Sequence, residues 1–579
     1  MKLTLPFALV LAFAPLAPGA IHWEPWSDDV FARARRENKF VLLDLEAVWC
    51  HWCHVMEETT YQDPAVLALV GERYIAVRVD QDSRPDLANR YEDYGWPATV
   101  VFAPDGTEIV KKQGYIQPPR MAAMLRGIIA DPTPLQAEEP PAGGGAPGDA
   151  AALRAQLYRG YDDQAGGWGF SHKFLDWDAV EFALREAGRG DRGAEEKARA
   201  TLRLQRKLLD PVWGGMYQYS VGGNWDEPHF EKIMQMQAEN IRIYSLAYAR
   251  WGDADHLATA QAIHRYLRNF LTSPDGVVYA SQDADLVPGE HSADYYALDD
   301  AARRARGVPR VDRHVYAREN GWVIAALVQL AEVTGDTAYR VEAERAARWI
   351  LAHRALPGGG FRHDEADPSG PYLGDTLAMG RAFLALHQLT QQPEWRERAV
   401  EAAAFIRAHF VRGDRPGYAT ADSGRSSFPE PRPQYDENVG VARFAVALAQ
   451  VTGKPEHRAV AEPALRWILS PEVTAGRGFY VGGALLAAEE AATDPVHVLV
   501  LGAKDEPAAR AMFAAALRLP DQHKLVEWWD RREGPPPRGE DIFPEMDEAA
   551  AFLCANGACS LPITTAAVLE RRLAAIGRR

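Results

Sequence analysis

Two rhythms of apolar and polar residues run along the chain, and the change between them falls near residue 130. Between Trp23 and Ala130, short β-branched and aromatic runs are separated by helical periods. "KFVLLDLEAVW" predicts a buried strand, "HVMEETTYQDPAVLALVGE" a helix and "YIAVRVDQD" a strand. "ATVVFAPDG" with "TEIVKKQGY" predicts a hairpin, and "PPRMAAMLRGIIA" a closing helix. This order predicts a compact α/β domain over residues 21–130. Residues 131–150 are crowded with Pro, Gly and Ala and carry no period, as a linker would.

From residue 151 to 579 the pattern becomes long Ala- and Leu-rich amphipathic segments paired about short loops such as "EVTGDTAYR", "QLTQQPEWR" and "AQVTGKPEHR". Glycine-aromatic knots recur between the pairs: "GGWGF", "GGMYQY", "DGVVYAS", "GGGFRH", "PGYATA" and "GRGFYVGG". Six knots imply six helical hairpins. An open solenoid has no need of such knots, whereas a closed ring, an (α/α)6 toroid, would gather them on one rim, where aromatics line a pocket. One interruption near 494–530, reading strand, helix, strand, predicts a small α/β insertion.

Composition changes this picture little. Hydrophobic residues at 47% and charged residues at 25% are ordinary for a globular chain, and 579 residues are too many for one domain. The net charge of -16 argues against nucleic acid or an anionic membrane surface as partner. Residues 1–20 begin with Lys2 and an apolar run that ends in small residues, the layout of a secretory signal cleaved near Gly19 or Ala20. Export to a periplasmic or extracellular space, with no stable membrane insertion after cleavage, is the expectation. In such surroundings disulfides persist, and local pairing would join Cys50 to Cys53 and Cys554 to Cys559.

The stretch "WCHWCHVMEE" carries two signatures. Cys50-His51-Trp52-Cys53 is a C-x-x-C redox pair, and with His54 it becomes C-x-x-C-H, a haem attachment pattern. Zinc on Cys50, Cys53, His51 and His54 is a third reading, though ligands this close on one helical turn close a tetrahedron poorly. The redox reading alone demands a buried strand before the pair and a helix after it, where orphan N-H groups and the helix dipole favour a thiolate. Both are present. A protonated His51 or His54 beside the first thiol would make its disulfide more oxidising. His54 reads equally well as a solvated first-turn residue.

Strand, W-C-x-x-C, helix and a later Gly-Trp-Pro opening a strand together resemble the thioredoxin fold. On that resemblance Asp44 matches the buried acid that helps deprotonate the second cysteine, and Pro97 matches the cis-proline beside the thiols. The longer runs "WCHWCHVMEETTYQDPAVLALVGERYIAVRVDQD" and "NWDEPHFEKIMQMQAEN" are similar to the spermatogenesis-associated protein 20 and YyaL-type family with its DsbH-like thioredoxin domain. The tail "FLCANGACSLPITT" is similar to that family's C-terminus. The resemblance implies a thioredoxin-like domain followed by a barrel of the six-hairpin glycosidase and sugar-epimerase type, in a shortened member. One departure is Gln282-Asp283-Ala284-Asp285, where family members often carry Glu-Asp-Ala-Asp.

On the expected rim, "NWDEPHFEK" supplies Trp225, Asp226, His229, Glu231 and Lys232. Asp283, Asp285, Glu319, Asp436 and Glu437 join them from other loops. Aromatics beside paired acids and a histidine suit sugar binding and proton transfer, while acids at loop-to-helix junctions also serve as caps. Two functions follow as expectations. The first is an exported thiol-disulfide oxidoreductase with a protein thiol or disulfide client, Cys50 attacking and Cys53 resolving. The second is a carbohydrate-active barrel, an epimerase or glycosidase, with the thioredoxin domain structural or regulatory. A binding protein without catalysis is a third, and no cofactor or metal is expected. Cys554 and Cys559 enclose a turn and read as a structural disulfide, or as a relay to Cys50 and Cys53.

Overall fold

Strand β1 (Phe40–Glu46) is buried along nearly its whole length because "FVLLDLE" offers only one mid-strand charge, Asp44, to solvent or core. The computed structural model describes residues 19–27, 29–91, 95–135, 143, 148–367, 369–422, 430–536, 544, 546–555 and 557–576. All but the last two residues of the expected signal segment, and most of the linker, lie outside the described residues. The chain divides into two units, one of Met1–Glu46, Trp52–Val79 and Asp93–Ala137, the other of Ala47–His51, Asp80–Glu92 and Glu138–Arg579.

In the first unit, β1, β2 (Tyr74–Asp80), β3 (Ala98–Phe102) and β4 (Glu108–Gln113) form one sheet in the order β2-β1-β3-β4. β3 pairs antiparallel with both β1 and β4. Helices α1 (Val30–Glu37), α2 (His51–Thr59), α3 (Pro64–Arg73) and α4 (Pro118–Ala130) accompany it. The single helix expected after the cysteines is two, because Asp63 caps a new N-terminus at Pro64 by accepting from the Ala65 and Val66 amides. α1 and a short helix at Pro85–Tyr91 were not expected.

The second unit is built on six helical hairpins. Six inner helices, α6 (Trp177–Gly188), α8 (Met234–Trp251), α10 (Ala317–Thr334), α12 (Leu373–Thr390), α14 (Tyr435–Thr452) and α16 (Gly482–Ala492), contact one another in that order, and α16 packs back on α6 to close the ring. Their partners are α7 (Arg192–Gln205), α9 (Ala254–Phe270), α11 (Thr337–His353), α13 (Pro393–His409) and α15 (Ala461–Ile468), while α5 (Ala150–Arg159) packs on α16. The architecture is an (α/α)6 toroid.

Each knot lies between an outer helix and the next inner one, folded as a tight bridge such as Tyr161 with Trp168 or Leu209 with Met216. Side chains at the start of the inner helices clamp the knots. Asn320 accepts from the Val278 amide at 2.9 Å and donates to its carbonyl at 3.1 Å. Asn438 does the same to Tyr418, and Gln237 to Met216. Buried backbone polar groups need partners, so the repeated amide is the price of placing a loop at the ring's edge.

The late insertion is larger than the 494–530 stretch expected. β5 (Val496–Leu501), α17 (Pro507–Leu517) and parallel β6 (Lys524–Trp529) are joined by β7 (Ala550–Ala555) and β8 (Ala558–Cys559), in the order β6-β5-β7-β8. α18 (Ala566–Ala575) packs on α17. The later strands follow a Pro- and Gly-rich stretch that hid them, and "AAFLCA" alternates too weakly to announce a strand. No helix among the described residues is long and apolar enough to cross a membrane.

Candidate functional site

Helix α2 begins at His51, directly after Cys50, so the cysteine pair occupies the turn from strand to helix that the redox reading required. Cys50 and Cys53 are buried and disulfide-bonded, and no described cysteine is free. Trp52 between them is exposed and stacks on Tyr115 at 5.9 Å. The Trp96-Pro97 bond is cis. His54 is half-buried on the first turn of α2.

Asp44 lies in the core of the first unit, accepting from the Tyr61 hydroxyl at 3.0 Å and from Arg78 Nε at 3.1 Å. Burial disfavours its charge more than Arg78 restores it, and the carboxyl is pushed up to about 7. Arg78 is held by Glu57 and lies over the Trp23 ring at 4.1 Å.

Within the second unit, His51 Nδ1 lies 2.8 Å from Asp285 Oδ1. Asp285 also accepts from the Gly289 amide, and its own amide donates to Asp283, so both acids of the Gln-Asp-Ala-Asp loop are anchored. The His51 ring meets His291 edge-on at 5.7 Å, and Phe230 links His291 to Tyr296. Next to them His229 stacks on Tyr219 at 4.5 Å and has Glu231 at 3.8 Å. Glu231 is buried, and its Oε2 has no hydrogen-bond partner. His51, Asp283, Asp285, His229 and Glu231 therefore share one neighbourhood, to which His291 belongs unannounced by any motif.

Two expected rim residues serve the fold instead. Trp225 is buried and donates to the Ala165 and Gly166 carbonyls. Lys232 is enclosed against Asp210 at 2.7 Å and lies over the Tyr266 ring, its pKa pushed down to about 8 by burial. Asp226 pairs with Lys207 at the surface. Glu319 binds Arg318 at 2.7 Å and is buried beside Asp82, which burial raises to about 7 and which accepts from Trp49 Nε1 at 2.7 Å.

Asp436 and Glu437 line a different place, a chamber of about 160 Å³ inside the ring. Its mouth is made by the first turns of the inner helices: Trp177, Asp178, Gln235, Arg318, Gly374 and Asp436. Burial pushes Asp178 up to about 8 and Glu437 to about 7. Asn89 and Thr420 hydrogen-bond Glu437 on one side. The floor is a layer of buried charge. Glu181 binds Arg242 at 2.5 Å and also Arg443, while Glu490 takes Arg185 at 2.7 Å and Arg443 at 2.9 Å. Arg185, Arg242, Arg381, Arg443 and Glu490 are each the ninth residue of an inner helix, hence at one height in the ring. Below the layer lies a second chamber of about 120 Å³, reached by Gln522, His523 and Lys524 of the insertion.

These features define the chain as a thioredoxin-like domain with a C-x-x-C pair joined to an (α/α)6 toroid. Residues 14–129 match the family model Thioredox_DsbH, described as a protein of unknown function, DUF255. The chain is similar to human spermatogenesis-associated protein 20, 29% identical over 425 residues, which is 66% of this chain and 50% of the relative. The chain spans about half the length of the curated relatives it matches. A stretch of 84 residues is 37% identical to thiol:disulfide interchange protein DsbD 2 of Pseudomonas aeruginosa, 14% of each chain. Cellobiose 2-epimerase from Bacillus thermoamylovorans superposes with a TM-score of 0.45 at 10% identity, covering 59% of this chain and 99% of that one.

Proposed function

We propose that this chain is an exported thiol-disulfide oxidoreductase whose reacting pair is Cys50 and Cys53. The observation that carries the reading is the pair's position at the turn from buried β1 into α2. The expected signal segment is the ground for export. In the reducing direction the Cys50 thiolate attacks a client disulfide, forming a mixed disulfide and releasing one client thiolate. Cys53 loses its proton, with Asp44 as acceptor, and attacks Cys50. The Cys50-Cys53 bond forms, the second client thiolate leaves, and two electrons have passed to the client. Oxidation of a client dithiol is the reverse.

The test is equilibration of the mature protein in glutathione buffers, with alkylation of free thiols and their location by mass spectrometry. Reversible cycling of the pair between roughly -270 and -120 mV is expected. Cys50→Ser abolishes exchange, and Cys53→Ser accumulates a mixed disulfide with glutathione. A pair that stays oxidised in excess dithiothreitol, or Cys50→Ser with undiminished exchange, sinks the proposal.

The chamber in the ring favours a second reading beside the first, that the toroid holds a small carbohydrate. Trp177 and Trp322 stand in its wall, with Asp178 and Glu437 able to carry protons near neutral pH. If sugar turnover takes place there, Glu437→Gln removes it. If the His229 and Glu231 neighbourhood is responsible instead, His229→Ala or Glu231→Ala does so while Glu437→Gln does not.

A further inference from the structure

The ninth-residue layer inside the ring is nearly self-satisfied. Arg185, Arg242 and Arg443 each lie within ion-pair distance of Glu181, Glu239 or Glu490, and Arg185 also reaches Asp521 at 3.2 Å. Arg381 is the exception. Among the described residues its guanidinium has neither a hydrogen bond nor an ion pair, though it lines the wall of both chambers. Arg381 is half-buried in the chamber wall, and a cation partly withdrawn from water without an ion-pair partner is a group that a ligand can complete.

What would complete it can be read from the upper chamber. The acids Asp178, Glu239, Asp436 and Glu437 line the same cavity as Arg381, and Glu239 is the carboxylate whose charge acts on it most, yet none is within ion-pair distance of it. Five of the six inner helices place their first turns on this chamber, so their dipoles add positive potential where an anion would enter. A guanidinium fork matches a planar carboxylate in two parallel hydrogen bonds. The chamber, about 160 Å³, has room for one six-membered ring, by comparison with the ~150 Å³ cavity that admits benzene. Asn89, Gln235 and Gln434 offer its wall donors and acceptors for hydroxyl groups, and Trp177 and Trp322 offer apolar surface.

We infer that the upper chamber binds a single hydroxylated ring bearing one carboxylate, a hexuronate-type sugar acid, with Arg381 taking the carboxylate. This rests on the second reading above, that the ring is a carbohydrate site, and is independent of the redox reading.

Isothermal titration of the full chain with D-glucuronate and with neutral D-glucose tests it, alongside Arg381→Met. Glucuronate is expected to bind at least ten-fold more tightly than glucose, with an affinity that falls as salt is raised. R381M erases that preference while its melting temperature stays level or rises, because a half-buried charge without an ion-pair partner has been removed. A purely structural arginine would lower the melting temperature when replaced. Equal affinity for glucose and glucuronate overturns the inference and leaves the carbohydrate reading standing, as does undiminished glucuronate binding by R381M. Failure of both sugars to bind overturns the two together.

Discussion

Asp44 Oδ2 and Arg78 Nε meet at 3.1 Å in the core of the thioredoxin-like unit, yet the carboxyl remains near half-protonated at neutral pH, because burial outweighs the single cation. Its folded pKa, about 7, stands above the 3.8 of an exposed aspartate, so the native state binds the extra proton between those values. The stability that the neutral acid contributes is present in full below pH ~4 and is lost as pH rises through about 7. Asp44→Asn should therefore flatten the fall in melting temperature between pH 5 and 8, as a thermal series on both proteins would show. If Asp44 accepts the Cys53 proton, exchange in the wild type rises through pH ~7, and the variant is slower by ~10- to 100-fold at neutral pH without that rise.

His51 and Asp285 are joined across 234 residues of sequence, and the carboxylate fixes which ring nitrogen carries the hydrogen. Removing either partner should alter the same property. His51→Ala and Asp285→Ala are expected to shift the potential of the Cys50-Cys53 pair in the same direction, by a few tens of millivolts, and the double variant by no more than the larger single change. Glutathione equilibration of the three variants is the check, and additive shifts would show that the two residues act separately.

Replacing Glu181 by Ala leaves Arg242 and Arg443 without their shared carboxylate in the middle of the ring. The Arg242 and Arg443 guanidinium charges hold Glu181 well below the usual carboxylate range, so its contribution is present at neutral pH and lost on acidification. A loss of about 3–5 kcal/mol in denaturant unfolding of the toroid is expected, with partial recovery in Glu181→Ala/Arg443→Met. A loss below ~1 kcal/mol would mean that water enters the layer and screens it.

Gln391 ends α12 in the left-handed region, φ 58°, where α8, α10 and α14 end on Gly252, Gly335 and Gly453. Its side chain accounts for the exception, donating to the Val526 carbonyl at 3.0 Å and accepting from the Trp528 amide at 3.2 Å. Gln391→Gly relieves ~1 kcal/mol of backbone strain and releases β6. Hydrogen exchange at Trp528 should accelerate about ten-fold with little change in global melting.

Cys554 and Cys559 are register partners in β7 and β8, bonded across a separation of five residues. Closing so short a loop stabilises by about 2 kcal/mol in the chain-entropy account. Cys554→Ala/Cys559→Ala should cost that much in unfolding of the insertion and leave the potential and exchange rate at Cys50 unchanged. A slower turnover at Cys50 would establish the relay instead.

The thioredoxin-like unit was legible because its signals are local: a continuous apolar run predicts β1, and the pair follows it within a few residues. The six knots likewise announced the ring, each carrying its own glycine and aromatic. The lumen was hidden. Arg381 and Arg443 interrupt apolar helices singly, and their common ninth position has no meaning until the helix starts are known. The rim was less legible, because Asp210 and the Ala165 and Gly166 carbonyls, which claim Lys232 and Trp225 of "NWDEPHFEK", lie far off in sequence.

The layer of Arg185, Arg242, Arg381, Arg443, Glu181 and Glu490 makes the bore of the ring a cul-de-sac with a separate cellar beneath it. Whatever enters by the helix N-termini must back out by the same door, so a polymer cannot be threaded through. If the toroid holds a carbohydrate, only a chain end or a free small solute would fit, and departure would compete with arrival for one passage.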